Sequence, residues 1–210
     1  MKIHITTLQY MGALSALLAG AGFIIVGLFH PLNVSESVIT ETWVNVHIVA
    51  VVMAFFGIFG LLGIYLRQFE KVGWLGLFGY VLFSAWFALV LCLSFIEAWI
   101  LPLLNVVAPE FVAGFLAMFT NAHTIDLGIL PTLWNISGPL YILGPLLFGI
   151  ATFRARIFPR AAAILLIVGA VLTPVGALIP PEHQSLIMVP YGVAFVWLGY
   201  ALWSSKNAAV

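Results

Sequence analysis

The chain has 210 residues, of which 64% are hydrophobic and 7% charged, with seven Lys and Arg against seven Asp and Glu and a net formal charge of zero. Soluble domains carry roughly 25% charged residues, and no water-soluble fold hides this much apolar surface. The lack of any basic run argues against nucleic acid as a partner, because phosphate binding rests on clustered Lys and Arg; the one cysteine, Cys92, rules out an intramolecular disulfide and a thiolate-cluster metal site.

Six runs have about the length that crossing a ~30 Å hydrocarbon core requires at ~1.5 Å per residue: residues 7–29, 43–66, 74–95, 128–153, 161–179 and 186–203. They predict an all-α integral membrane protein, a single membrane domain over 1–210 with six transmembrane helices. The first run is longer than the 7–15 residues of a secretory h-region and reads as a retained helix. Its small residues Ala16, Gly20 and Gly27 form a stripe that leads to His30 at its outer end. The second run begins with Trp43 and holds His47 one turn inside. Steps of three and four from His47 reach Ala50, Ala54 and Gly57, and small-residue stripes are where membrane helices approach closely, so His47 is expected to face the protein interior.

The third run ends in LSFIEAWILP, placing Glu97 at the membrane boundary beside Trp99. In the following connection, PEFVAGFLAMF at 109–119 predicts a short helix: Pro109 is accepted in a first turn, Glu110 suits the positive helix start, and Phe111, Val112, Phe115, Leu116 and Phe119 form one apolar stripe. It is too short to span and is expected to act as an extracytoplasmic lid or a re-entrant helix, followed by NAHTID with His123 and Asp126. The fourth run contains Pro131, Pro139 and Pro145 with Trp134, Asn135 and Ser137. These predict a kink and carbonyls freed for polar side chains or water. The fifth carries Pro174 and stops at Pro180-Pro181 before Glu182 and His183, and the sixth opens with Pro190-Tyr191-Gly192.

Charge sorting supports six spans. Lys2, Arg67, Lys71, Arg154, Arg156, Arg160 and Lys206 all fall on one side, the cytoplasm by the positive-inside rule, with both termini there. Glu36, Glu41, Glu97, Glu110, Asp126 and Glu182 fall on the other, leaving only Glu70 among the bases. His30, His47, His123 and His183 follow the acids, and only His4 lies inside. Two outside–inside–outside hairpins, at 61–82 and 147–172, echo one another; a true repeat would be a parallel one, and shared hydrophobic composition is the alternative source of the likeness.

GIYLRQFEKVGWLGLFGYVL at 63–82, FIEAW at 95–99, LFGIATFRARIFPRAAAILLIVGAVL at 147–172 and VWLGYALW at 196–203 resemble a group of small, uncharacterised six-helix bacterial inner-membrane proteins. The resemblance implies a multi-pass protein of the bacterial cytoplasmic membrane. It brings no activity, cofactor or catalytic residue.

The outer side gathers the candidate site: His47 and Glu97, with His30, His123 and Trp43 as further contributors. Imidazole and carboxylate together can ligate a metal ion, with His47, Glu97 and His123 as the ligands, or a histidine can hold one haem near the outer face. The plain alternative is a structural His47–Glu97 hydrogen bond, with the loop residues His123, Asp126, Glu182 and His183 polar because they meet water; Trp43 reads as a ligand-stacking ring or an interface anchor. No Lys, Arg, Asp or Glu lies near the middle of a helix, which argues against a midplane ion-coupled transport site. No phosphate loop or GxSxG is present, so nucleotide and acyl-transfer chemistry have no support. The expectation is an outer-leaflet cavity that binds a small ligand or cofactor (metal, haem, or a lipid or quinone). The rivals are a non-catalytic subunit or scaffold with a membrane-protein partner, and an enzyme acting on a lipid or quinone with His47 and Glu97 as acid and base.

Overall fold

A computed structural model describes residues 5–204, so Lys2, His4 and Lys206, expected on the inner side, lie outside the described residues. Among those described, the fold is all-helical, 87% helix without strands. The helices are α1 (Ile5–Phe29), α2 (Ser35–Val38), α3 (Glu41–Phe95), α4 (Leu101–Val107), α5 (Pro109–Met118), α6 (Leu130–Ala155), α7 (Arg160–Leu172) and α8 (Met188–Ser204). Four helical stretches are long and apolar enough to cross a membrane: Thr7–Phe29, Glu41–Val107, Leu130–Ala155 and Pro181–Ser204.

The 55 residues of α3 would extend roughly 80 Å if straight, far more than one crossing needs. The helix instead doubles back at Gly73, whose φ of 55° and ψ of −156° lie where only glycine sits without strain. Tyr65 stacks on Tyr80 with ring centroids 4.8 Å apart, and the Phe87 ring lies against Gly57; both pairs are symmetric about Val72–Gly73, as in an antiparallel hairpin. The two predicted runs 43–66 and 74–95 are therefore the two arms of α3. At the turn, Gln68 Nε2 donates to Thr152 Oγ1 at 2.8 Å, a buried bond between α3 and α6. It brings Arg67 and Lys71 to the same end of the bundle as Arg154, Arg156 and Arg160, as the charge sorting predicts.

Close approach of small residues sets the helix order. The predicted stripe of α1 is buried and used: Ala16 lies against Gly60 of α3, Gly20 against Gly192 of α8, and Gly27 against Val189 and Ser185. The stripe of the first α3 arm, Ala50, Ala54 and Gly57, is buried likewise. On the opposite face of α1, Met11, Leu14, Leu18, Ile25 and Leu28 are exposed. Small residues inside and large apolar ones outside are what a helix in lipid requires, since lipid offers no penalty to exposed leucine. Neighbouring helices pair α1 with α3 and α8, α3 with α6, α6 with α7, and α7 with α8, which closes the ring. At its centre Phe23 sits 5.7 to 5.9 Å from the rings of Trp86, Phe87, Tyr191 and Phe195.

The predicted 161–179 helix is shorter than expected. It ends at Leu172, and Pro174–Leu178 continues as a 3-10 turn, because Pro174 has no N–H to extend the α ladder. The last helix is preceded by a 3-10 segment at Pro181–Ile187. α6 runs unbroken through Pro139 and Pro145. The carbonyl that Pro145 frees, that of Tyr141 four residues earlier, accepts from Tyr191 Oη at 3.3 Å, a side-chain substitute of the kind the proline pattern predicts. The predicted helix at 109–119 is present as α5, and its Val112, Phe115, Leu116 and Met118 pack with Val38, Trp43, Leu93, Leu101 and Leu127 in a second, smaller core.

Candidate functional site

A proline and one irregular turn place the central carboxylate. After Phe95 the helix passes into a π turn, Ile96–Ile100, in which the Leu101 N–H donates to the Ile96 carbonyl, five residues back. The Glu97 carbonyl thereby loses its α-helical donor, and the next residue, Pro102, has no N–H to give. The Trp43 indole N–H fills the vacancy, donating to Glu97 O at 2.8 Å. Such π turns recur at functional sites, and this one turns the Glu97 side chain inward, where its residue is only 8% exposed.

His47 comes to the same place from the first arm of α3. Its Nδ1 lies 2.7 Å from the Trp43 carbonyl. A carbonyl only accepts, so Nδ1 carries the hydrogen, and in the neutral ring Nε2 holds a lone pair. Nε2 is buried without a hydrogen-bond partner and stands 3.5 Å from Glu97 Oε2. That is longer than the 2.7–3.2 Å of a formed bond. Two bare acceptors do not attract one another; one proton between Nε2 and Oε2 turns the contact into a bond. Trp43 thus supports both members, one through its indole N–H and the other through its carbonyl, and its ring lies 4.2 Å from that of His47. It is fully buried, so its ring does not face outward from the bundle.

His30 joins the pair from the end of α1. Its ring meets the His47 ring edge to face, centroids 5.0 Å apart, and its Nδ1 donates to the Pro31 carbonyl at 2.7 Å. Burial lowers the His30 pKa below the ordinary value for imidazole, with the Pro31 bond opposing. The folded state therefore disfavours the imidazolium. Stability from this group is complete above the unfolded pKa of about 6.5 and is lost as pH falls below it, by at most ~1.4 kcal/mol per pH unit. Thermal unfolding followed from pH 7 to pH 5 is expected to show a larger loss for the wild type than for His30→Gln, and equal losses would refute the assignment.

These groups line a cavity of about 230 Å³. Its walls are helix stripes at spacings of three and four: Val26 and His30 from α1; His47, Ala50 and Met53 from the first arm of α3; Trp86, Val90, Ser94 and Glu97 from the second arm and its π turn; and Trp134, Ser137 and Tyr141 from α6. Asn33, Phe119 at the end of α5, and Met188 of α8 complete it. The stripe of α6 alone rises about 10 Å, so the cavity is a slot along the helices, with His47 and Glu97 at one end and Trp86 and Tyr141 at the other. No Lys or Arg lines it.

Of the predicted residues, the fold brings together His30, His47 and Glu97, with Trp43 behind them. His123 does not line the cavity; it is half-buried in the connection after α5, with Nδ1 unbonded. Asp126, Glu182 and His183 are exposed, and Asp126 Oδ1 accepts from the Gly128 N–H at 2.8 Å within its own turn. Among the described residues no three His, Cys, Asp or Glu side chains converge in a way that could hold a metal ion. Sequence reasoning missed the part played by Tyr141 and Trp86. The signal was present in Pro145, which marks Tyr141 as a residue with a free carbonyl and so a point where another side chain must dock. Comparison with family models, with curated proteins and with solved structures finds no match to this chain.

Proposed function

We propose that this is a six-span protein of the bacterial cytoplasmic membrane, both termini cytoplasmic, whose cavity in the outer half of the bundle binds a small organic molecule through His47 and Glu97. The hairpin in α3 supplies two of the spans, α7 with its 3-10 extension the shortest, and the convergence of the basic turns at one end supports the orientation. α5 covers the cavity as a lid, with Phe119 at its rim. The observation that carries the reading is the His47 Nε2 atom, buried with no partner and 3.5 Å from a carboxylate, in the wall of a cavity of about 230 Å³. Leaving polar groups unpaired in a low-dielectric interior costs free energy, and a bound molecule that completes the bonding recovers it. Two histidines and one carboxylate that do not meet the requirements of a metal site favour an organic ligand over a metal ion.

The test is mass spectrometry of small molecules extracted from protein purified in mild detergent. The wild type is expected to carry one compound in near-stoichiometric amount, and His47→Leu and the cavity-filling Val90→Phe are expected to lose it. A wild type with no bound compound, or variants that retain it in full, would overturn the reading.

A further inference from the structure

The rings around the slot narrow the chemistry of its occupant. Trp86 is stacked between Phe23, at 5.8 Å and 6°, and Tyr141, at 4.2 Å and 13°. Tyr141 in turn packs on Tyr191 at 4.8 Å and 31°. The facing surfaces of these rings are taken up by one another, which favours their edges as what a ligand meets. Ring edges carry partial positive charge and ring faces partial negative charge. A cation needs faces, and Trp86 and Tyr141 have theirs stacked on neighbouring rings. An oxygen atom, or the face of a further ring, meets the edges favourably.

The polar end selects in the same direction. The Nδ1 hydrogens of both His30 and His47 are spent on backbone carbonyls, and the Ser137 hydroxyl is spent on the Trp134 carbonyl at 2.7 Å. What is left at this end is chiefly the His47–Glu97 pair; at the other end the Tyr141 hydroxyl is buried without a partner. With one proton the pair is electrically neutral; that proton bonds Glu97 to His47 Nε2 or is donated to a ligand in its place, and the other carboxyl oxygen accepts. Without a Lys or Arg in the lining, an anion has nothing to neutralise it, and a cation must displace the shared proton.

We infer that the slot takes an uncharged, flat ring bearing a carbonyl or hydroxyl oxygen, the quinone and quinol class, with that oxygen on Glu97 and the ring against the edges of Trp86 and Tyr141. This rests on the cavity being a ligand site, as proposed above. A carbonyl oxygen receives the hydrogen bond from the pair, and a hydroxyl donates to it, so the oxidised and reduced forms of such a ring both fit without a change of net charge. One hydrogen bond of about 2.8 Å and the width of one ring fit within a slot about 10 Å long.

The experiment uses the full chain in detergent and three probes: a short-chain 1,4-naphthoquinone, the naphthalene of the same shape without oxygens, and a lipophilic organic cation of similar size. Binding is read by calorimetric titration. The quinone is expected to bind the wild type at least tenfold more tightly than either other probe. Affinity is expected to fall at least tenfold in Glu97→Leu and to stay within about threefold in Glu97→Gln, whose amide still donates. Val90→Phe, which leaves the His47–Glu97 pair intact, is expected to abolish binding and keeps the test open if Glu97→Leu does not fold. A cation that binds more tightly than the quinone and depends on Glu97 would overturn the ring assignment and keep the cavity as a ligand site. Equal affinity of quinone and naphthalene, or of wild type and Val90→Phe, would overturn the assignment as partition into detergent. No binding by any probe, with no compound found on the purified protein, would overturn both inferences.

Discussion

Trp43→Ala is expected to be among the most destabilising single substitutions in the chain, lowering stability by about 3–5 kcal/mol, the range for truncating a fully buried aromatic side chain. Trp43 is 0% exposed and packs in the small outer core with Leu93, Leu101 and Phe115. Its loss removes more than packing. The Glu97 carbonyl, left without a helical donor by the π turn and Pro102, loses the indole N–H that lies 2.8 Å away, and a buried acceptor without a partner adds about 1–3 kcal/mol. Trp43→Phe separates the contributions, because it keeps most of the ring volume and removes only the donor; it is expected to cost about 1–3 kcal/mol. Denaturant titration in detergent micelles checks both values. Indistinguishable Phe and Trp proteins would show that the indole bond contributes nothing, and with it that Trp43 does not hold the π turn in place.

The second large effect is expected at the contact between α6 and the second arm of α3. A Cβ placed on Gly144 would stand 2.6 Å from Phe83 N and 2.7 Å from Phe83 Cα, and one placed on Gly79 would stand 2.8 Å from Phe148 Cα. Both clashes are with backbone, so no side-chain rotation relieves them; the helices must move apart. Gly144→Ala is expected to cost about 1–3 kcal/mol, as overpacking in tight cores does, and Gly144→Leu to cost more or prevent accumulation of folded protein. The same separation would pull Trp86 and Glu97 on one helix away from Tyr141 on the other, so ligand binding is expected to fall with stability. Gly138→Ala, six residues earlier on the same helix, is the control: outside its chain neighbours nothing lies within 4 Å of its Cβ position, and the gain from replacing a helical glycine is set against the crowding of a Cβ by the following Pro139, so the change is expected to stay within about 1 kcal/mol. Thermal midpoints of the three variants decide the matter. A tolerated Gly144→Leu would mean that the two helices do not pack as closely as described.

Much of the architecture was legible in the sequence because membrane helices advertise themselves in one dimension. Apolar length, the gathering of Arg67, Lys71, Arg154, Arg156 and Arg160 in two turns, and small residues at spacings of three and four all follow from local chemistry: a bilayer of fixed thickness, a backbone that must bond within its own segment, and close packing that only Gly and Ala permit. The inward orientation of His47 followed from its position on the Ala50–Ala54–Gly57 stripe. That His30 and His47 lie towards the same end followed from two stripes that end at the same side; their ring contact is seen in the structure. Pro145 forecast a freed carbonyl, and Tyr191 is the side chain that meets it.

Other features depended on register and distance. The length of the fifth predicted helix failed at Pro174, where a missing N–H ended the α ladder although the sequence stayed apolar. Trp43 looks like an interface anchor by position, yet the π turn supplies it with a buried acceptor and draws it inside.

By itself the sequence determined that the chain is all-helical, which runs are apolar helices, which small-residue faces pack, and that His30, His47 and Glu97 lie towards one end of the bundle. Only the tertiary structure decided that Glu97 stands 3.5 Å from His47, that His123 stays away from the cavity, and that Trp86 and Tyr141 stack on one another in its wall. The reason is physical: helix period and hydropathy are properties of neighbours along the chain, whereas hydrogen-bond partners and ring geometry between residues 50 or more apart depend on sub-ångström helix register. Here one extra residue in a π turn and one absent N–H at Pro102 set that register.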